Sequence, residues 1–178
     1  SVKRVYYGIP KNMIVEVVSR LIYVLKKFRL VDFASALEAC LWVLIARGRS
    51  SISLHAQREA EKGCIVISDR FPLKEFHTMP EPMDGPRLKG AKIPMGGLMS
   101  SAESGYYESI RLPDRIFVLK VPLEEVRRRK SDLDIVTHRT KVDAVNALKD
   151  DGVITAVDAG QPYDAVQLHV KRLIWEEL

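Results

Sequence analysis

The run Gly63-Cys64-Ile65-Val66-Ile67-Ser68-Asp69-Arg70-Phe71-Pro72 constrains the fold of this chain more than any other stretch. A continuous apolar run rich in β-branched residues predicts a strand buried on both faces, as in a parallel sheet. Such sheets place their chemistry just beyond the carboxyl ends of their strands. Asp69 and Arg70 fall at that end: a carboxylate able to hold a magnesium ion, then a guanidinium able to fork onto a phosphate. An acid that starts a turn and a solvated arginine would give the same two letters, so both readings stay open at this point.

The flanking segments extend the pattern. Val2 to Tyr7 is β-branched and aromatic, ends at Gly8, and predicts a strand. Asn12 is a candidate cap for a helix on which Met13, Val17, Leu21, Val24, Leu25 and Phe28 recur at helical spacing. A second helical region covers about Asp32 to Lys62, with Ala36, Leu37, Cys40, Leu41, Leu44 and Ile45 as its apolar stripe. The run Arg47-Gly48-Arg49-Ser50-Ser51 predicts a kink or break in it. Gly63 stops it.

A Pro/Gly-rich insertion spans about 73–112 and includes Asp84-Gly85-Pro86-Arg87; Tyr106 and Tyr107 sit on a short helix near its end. Arg115 to Val121 predicts a strand, Pro122 opens a helix ending in Arg127-Arg128-Arg129-Lys130, and Val153 to Val157 predicts a further strand before the last helix. Strands alternating with helices place the chain in the α/β class, as a single domain over residues 1–178 whose parallel sheet is sandwiched by helices.

Two cysteines without metal-type spacing fit a reduced, cytoplasmic protein. The longest apolar run, Cys40 to Ala46, is too short to span a bilayer, so no membrane partner is expected. A net charge of +5 favours anionic partners, phosphates foremost. Nucleic acid is not expected, because the arginines are scattered over several elements with few aromatics beside them.

Five motifs in order carry a resemblance: Arg49; the strand ending Asp69-Arg70-Phe71-Pro72; Asp84-Gly85-Pro86-Arg87; Pro113-Asp114 leading through a strand to Pro122-Leu123-Glu124-Glu125-Val126-Arg127-Arg128-Arg129; and Val157-Asp158-Ala159-Gly160-Gln161-Pro162. Together they resemble a thymidylate kinase-like protein of the P-loop nucleoside monophosphate kinase family, from the first strand to the last helix. The resemblance implies a P-loop kinase-like three-layer α/β/α fold. It also implies phosphoryl transfer from ATP to a nucleoside monophosphate, thymidine monophosphate first, in nucleotide biosynthesis. Asp69 then helps position magnesium and the acceptor phosphate, as a catalytic and metal-binding residue. Arg70 grips the acceptor monophosphate. Arg49 contacts the acceptor nucleotide, with Arg47 as the alternative if the register differs. Tyr107 is a candidate contact for the acceptor base, with helix packing as the competing account. Arg129 starts a lid over about 127–140 that folds onto the donor phosphates. Ala159 and Gln161 form the turn beside the donor adenine. A homodimer through helices on one face is also implied, with Met13 to Phe28 as the candidate surface.

One departure is large. No G-x-x-x-x-G-K-[ST] occurs in the 178 residues. The family carries that phosphate loop after a strand preceding the one that opens here. The expectation is that these residues are a portion of a longer protein whose first strand, phosphate loop and first helix lie upstream. A non-catalytic nucleotide-binding or regulatory relative is the alternative.

Overall fold

The computed structural model describes residues 1–9, 13–74, 84–91, 95–129 and 135–176. Asn12, residues 75–83 and 92–94 of the insertion, and residues 130–134 of the lid lie outside the described residues. The described chain is mixed α/β. It comprises β1 (Val2–Tyr6), α1 (Met13–Lys27), α2 (Val31–Glu61), β2 (Ile65–Asp69), α3 (Gly96–Glu108), β3 (Ile116–Lys120), α4 (Leu123–Arg129), α5 (Ile135–Ala147), β4 (Ile154–Asp158) and α6 (Tyr163–Glu176). It divides into two compact units, Ser1–Arg111 and Leu112–Leu178.

Where the sequence predicts one sheet between helix layers, the described strands form two two-stranded parallel sheets. In the first unit β1 pairs with β2, from Val2 opposite Ile65 to Tyr6 opposite Asp69. In the second β3 pairs with β4, from Ile116 opposite Ile154 to Lys120 opposite Asp158. A parallel pair needs a crossover, and helices within each unit supply it. Among the described residues each strand is thus laddered along one side. The double-sided burial expected for β2 is absent. Ile65, Val66 and Ser68 are half-buried and Ile67 is exposed, because α2 is the helix packed on this short pair.

The first unit is organised by α2, a single helix of 31 residues. The break expected at Gly48 does not occur. A helical glycine costs about 1 kcal/mol, and the buried contacts of Arg49, Ser50 and Ser53 just after it offset that cost. The buried face matches the apolar stripe in the sequence in part: Ile45 is buried and Ala36, Leu37 and Leu41 are half-buried, while Cys40 and Leu44 are exposed. Ala34, Ala39, Ala46, Ser50 and Ser53 also face inward. Small side chains let the helix lie close to β1, β2 and α3. On α1 the match is again partial: Val15, Val18, Ile22 and Leu25 turn inward, and Val17, Leu21, Val24 and Phe28 turn outward.

The ends of α1 and α2 close alike. The Leu30 N–H donates to the Leu25 carbonyl and the Arg29 N–H to that of Lys26, with Arg29 at φ 60°. At the end of α2 the Cys64 N–H donates to the Glu59 carbonyl and the Gly63 N–H to that of Ala60, with Gly63 at φ 78°. Both are left-handed terminations that satisfy the last carbonyls of a helix. Tyr7, Ala46, Tyr107 and Ile110 form the core of this unit, with Val5, Ile52, Phe71 and Tyr106 against it.

In the second unit Ile116, Val118, Ile154 and Val157 are buried along the strand pair. Lys120 on β3 donates to the carbonyls of Asn146 and Leu148, capping the carboxyl end of α5 where a cation suits the helix dipole. Val166, Val170, Leu173 and Ile174, the predicted inner stripe of α6, are its half-buried residues. Among the described residues no helix is long and apolar enough to cross a membrane.

Candidate functional site

Three residues singled out in the sequence meet in the first unit: Arg49 from α2, Arg70 from the end of β2 and Tyr107 from α3. Arg49 is 2% exposed. Its Nε donates to the Tyr7 carbonyl at 2.6 Å. Its Nη1 donates to the Tyr107 hydroxyl and to the Asp84 carbonyl, both at 2.5 Å. Its Nη2 donates to Asp84 Oδ1 at 2.7 Å. The Tyr107 ring also lies under the guanidinium, 5.8 Å from its central carbon. A planar fork with donors on three nitrogens is the side chain able to reach partners in three directions at once. Arg49 therefore joins the end of β1, the Asp84 loop and α3.

Arg70 is placed differently. It follows β2 at φ 59°, a left-handed backbone that residues other than glycine seldom adopt. Its side chain is 55% exposed. Nε donates to Asp84 Oδ2 at 3.0 Å, and Nη1 lies 3.5 Å from the Tyr6 hydroxyl. The Tyr6 hydroxyl first, and then the Asp84 charge, hold the guanidinium still more firmly protonated. Asp84 thus spans two arginines, one oxygen on each, and is itself at φ 56°.

Glu103 fixes the loop that carries Asp84. It is fully buried on α3, one turn before Tyr107. Both of its oxygens accept from the Arg87 N–H at 3.0 Å, and Oε2 accepts from the Leu88 N–H at 2.8 Å. The Arg87 side chain covers the Trp42 ring at 4.5 Å. Burial pushes the Tyr107 hydroxyl above its usual range, against the pull of Arg49. Burial likewise raises that of Tyr7. Both hydroxyls stay protonated across the physiological range.

Asp69 meets this cluster through its backbone, its carbonyl accepting from the Tyr7 N–H at 3.0 Å, and its side chain points elsewhere among the described residues. Its Oδ2 lies 3.6 Å from Arg4 Nη2 on the paired strand, with both side chains largely in water. Arg47 is exposed on α2. Among the described residues no three His, Cys, Asp or Glu side chains group as a metal site.

The second unit holds Arg129, Ala159 and Gln161. The turn after β4 is closed by Asp158, whose Oδ1 accepts from the Gly160 N–H at 2.9 Å and whose Oδ2 accepts from Gln161 Nε2 at 3.3 Å. Ala159 is buried there, its N–H donating to the Lys120 carbonyl. Gly160 lies against Pro122, so the loops after β3 and β4 meet: a Cβ added at Gly160 would lie 3.3 Å from Pro122 Cδ. From α4, Arg129 Nη2 donates to the Gln161 carbonyl at 3.3 Å while Nε is held by Glu125 at 2.7 Å. Glu125 also binds Arg128. The Arg128 hydrogen bonds first, and Arg129 with them, take its carboxyl down to about 2.

Sequence reasoning placed Asp84 in the Pro/Gly-rich insertion and gave no role to Glu103, on the helix that carries Tyr106 and Tyr107. One signal was available. Glu103 and Tyr107 are four residues apart in an otherwise uncharged stretch, which puts a carboxylate on the face that packs. No protein-family model, curated protein or solved structure matches the chain.

Proposed function

We propose that this chain belongs to a nucleotide kinase of the thymidylate kinase-like kind, which transfers a phosphoryl group from ATP to a nucleoside monophosphate, thymidine monophosphate first among candidates. One observation carries the reading. Arg70, a reachable guanidinium, stands at the carboxyl end of a parallel strand, beside a buried arginine and a buried tyrosine that hold its surroundings in place. Phosphoryl transfer asks little covalent work of a protein and much alignment and charge neutralisation. Arginine suits that work because its fork matches phosphate oxygens and stays charged. In this reading Arg70 binds the acceptor phosphate. Arg49 sets the acceptor pocket through the contacts it already makes, and Tyr107 borders the base.

Asp69 is a half-exposed carboxylate whose described partner is a single arginine at 3.6 Å. That fits magnesium bound in its usual manner, by one or two carboxylates with water and substrate phosphates completing the shell. Magnesium there would neutralise phosphate charge. On the donor side, Arg129 and the Ala159–Gln161 turn are the proposed contacts for the phosphates and adenine of ATP. The finer architecture, a three-layer P-loop kinase fold, is supported by the parallel sense of both strand pairs. A homodimer through the outward stripe Val17, Leu21, Val24 and Phe28 completes the proposal.

A thermal-shift screen of nucleoside monophosphates tests it. Thymidine monophosphate at about 100 times its Kd should stabilise the chain by about 2.7 kcal/mol, and Arg70→Ala should abolish the shift. Protection by no monophosphate, or protection that survives Arg70→Ala, refutes the acceptor assignment.

A second reading, a non-catalytic relative, is favoured by the lack of G-x-x-x-x-G-K-[ST] in these 178 residues. Under either reading these residues alone should give no thymidine diphosphate from ATP. A longer natural chain that carries the loop and turns over separates the first reading from the second.

A further inference from the structure

We propose that Asp84 is a built-in competitor for the anion that Arg70 binds, so that an incoming phosphate must displace a carboxylate of the protein. The inference rests on the reading of Arg70 as an acceptor-phosphate arginine. The geometry is specific. Asp84 is shared, Oδ1 on buried Arg49 and Oδ2 on exposed Arg70. The Arg49 side is locked, since three nitrogens of that guanidinium are engaged and its side chain is 3% exposed. The Arg70 side is open, its side chain 55% exposed.

Arginine binds a phosphate best with two parallel N–H groups. On Arg70 the edge formed by Nε and Nη2 is half closed, because Nε is on Asp84. Among the described residues no partner meets Nη2. An anion therefore gains its second hydrogen bond by taking Nε from Asp84. Asp84 need not leave the protein's interior to yield it, because Arg49 and the Glu103-anchored loop still hold it. One carboxylate against two guanidinium groups also halves the local positive charge that a dianion would meet.

The displacement cost is the same for every ligand that uses this edge. Removing the competitor should therefore tighten all such ligands by one common factor. A partly exposed pair sets that factor at about 1.4- to 5-fold.

Calorimetric titration of the wild-type chain and Asp84→Asn, with inorganic phosphate and separately with thymidine monophosphate, tests the inference. Asparagine keeps an oxygen for Arg49 and removes the charge. The expected result is the same gain, about 1.4- to 5-fold, for both probes. A gain for inorganic phosphate with no thymidine monophosphate binding to either protein upholds the inference and removes the kinase reading. Equal thymidine monophosphate affinity in both proteins overturns the inference and leaves that reading intact. Weaker binding in Asp84→Asn, or none of either probe, also overturns it. If Asp84→Asn does not fold, carbon-13 NMR of the wild-type Asp84 carboxylate under inorganic phosphate titration decides. A saturating shift upholds displacement, and a resonance that stays still overturns it.

Discussion

Replacing Arg49 with lysine tests the central joint of the first unit. The guanidinium makes four hydrogen bonds from three nitrogens, to the Tyr7 carbonyl, the Asp84 carbonyl, the Tyr107 hydroxyl and Asp84 Oδ1. Lysine keeps the charge but concentrates its donors on one atom. An ammonium that stays with Asp84 or Tyr107 gives up the separate donor that Nε presents to the Tyr7 carbonyl. That carbonyl belongs to a residue 2% exposed, and a buried group left unpaired costs about 1–3 kcal/mol. The poorer fit to Asp84 adds about 1 kcal/mol, kept small because Arg70 still holds the other oxygen. The expected loss is thus about 2–4 kcal/mol. With a urea slope of about 2 kcal/mol per molar, the midpoint should fall by about 1–2 M. Trp42 reports on this unit, since it lies against Arg87. In a Trp175→Phe background its fluorescence follows urea unfolding without the exposed tryptophan of α6. Arg70→Lys is the control and should cost less than about 1 kcal/mol, because the Arg70 side of the pair is exposed. An Arg49→Lys midpoint no lower than that of the control would refute the reasoning.

Three further outcomes are expected. Glu103→Gln keeps one acceptor for two backbone N–H groups and loses the charge, so it should cost about 1–2 kcal/mol in the same urea assay; wild-type stability would show that the carboxylate is not the anchor. Glu125, whose carboxyl is lowered to about 2, should titrate by carbon-13 NMR near that value, and Arg128→Ala should raise its midpoint toward the ordinary 4.5. The sign follows from the lowered value: this clamp's contribution is complete above the ordinary carboxylate pKa and is lost as acid takes the pH down through the folded one. Gly63→Ala should cost about 1 kcal/mol because of its left-handed backbone, and an unchanged urea midpoint would count against that account of the end of α2.

Local chemistry was legible in the sequence to the extent that it is local. The strands, the stop at Gly63 and the placement of Asp69-Arg70 at a strand end follow from runs and punctuation within a few residues. The faces of α1 and α2 followed only in part, because both helices carry more apolar residues than their neighbours cover. Periodicity then offers several stripes, and tertiary packing selected the one with small side chains on α2. The partnership of Asp84 with Arg49 and Arg70 joins residues 35 and 14 positions apart. Nothing in the Asp84-Gly85-Pro86 turn signature distinguishes an aspartate that closes its own turn from one that bridges two arginines. Glu103 was hidden in another way. Composition treats a helical glutamate as a solvent residue, and only a loop with backbone N–H groups to satisfy makes it a core residue.

The two short strand pairs have a practical consequence. Ile67 on β2 and Leu119 on β3 lie exposed on short apolar segments, each laddered to one strand among the described residues, and an edge of that kind can accept another extended chain. Concentrated solutions should therefore drift toward clusters joined strand to strand, and a lysine in place of Leu119 should slow that drift. Light scattering that stays flat as the protein is concentrated would mean those flanks are already closed.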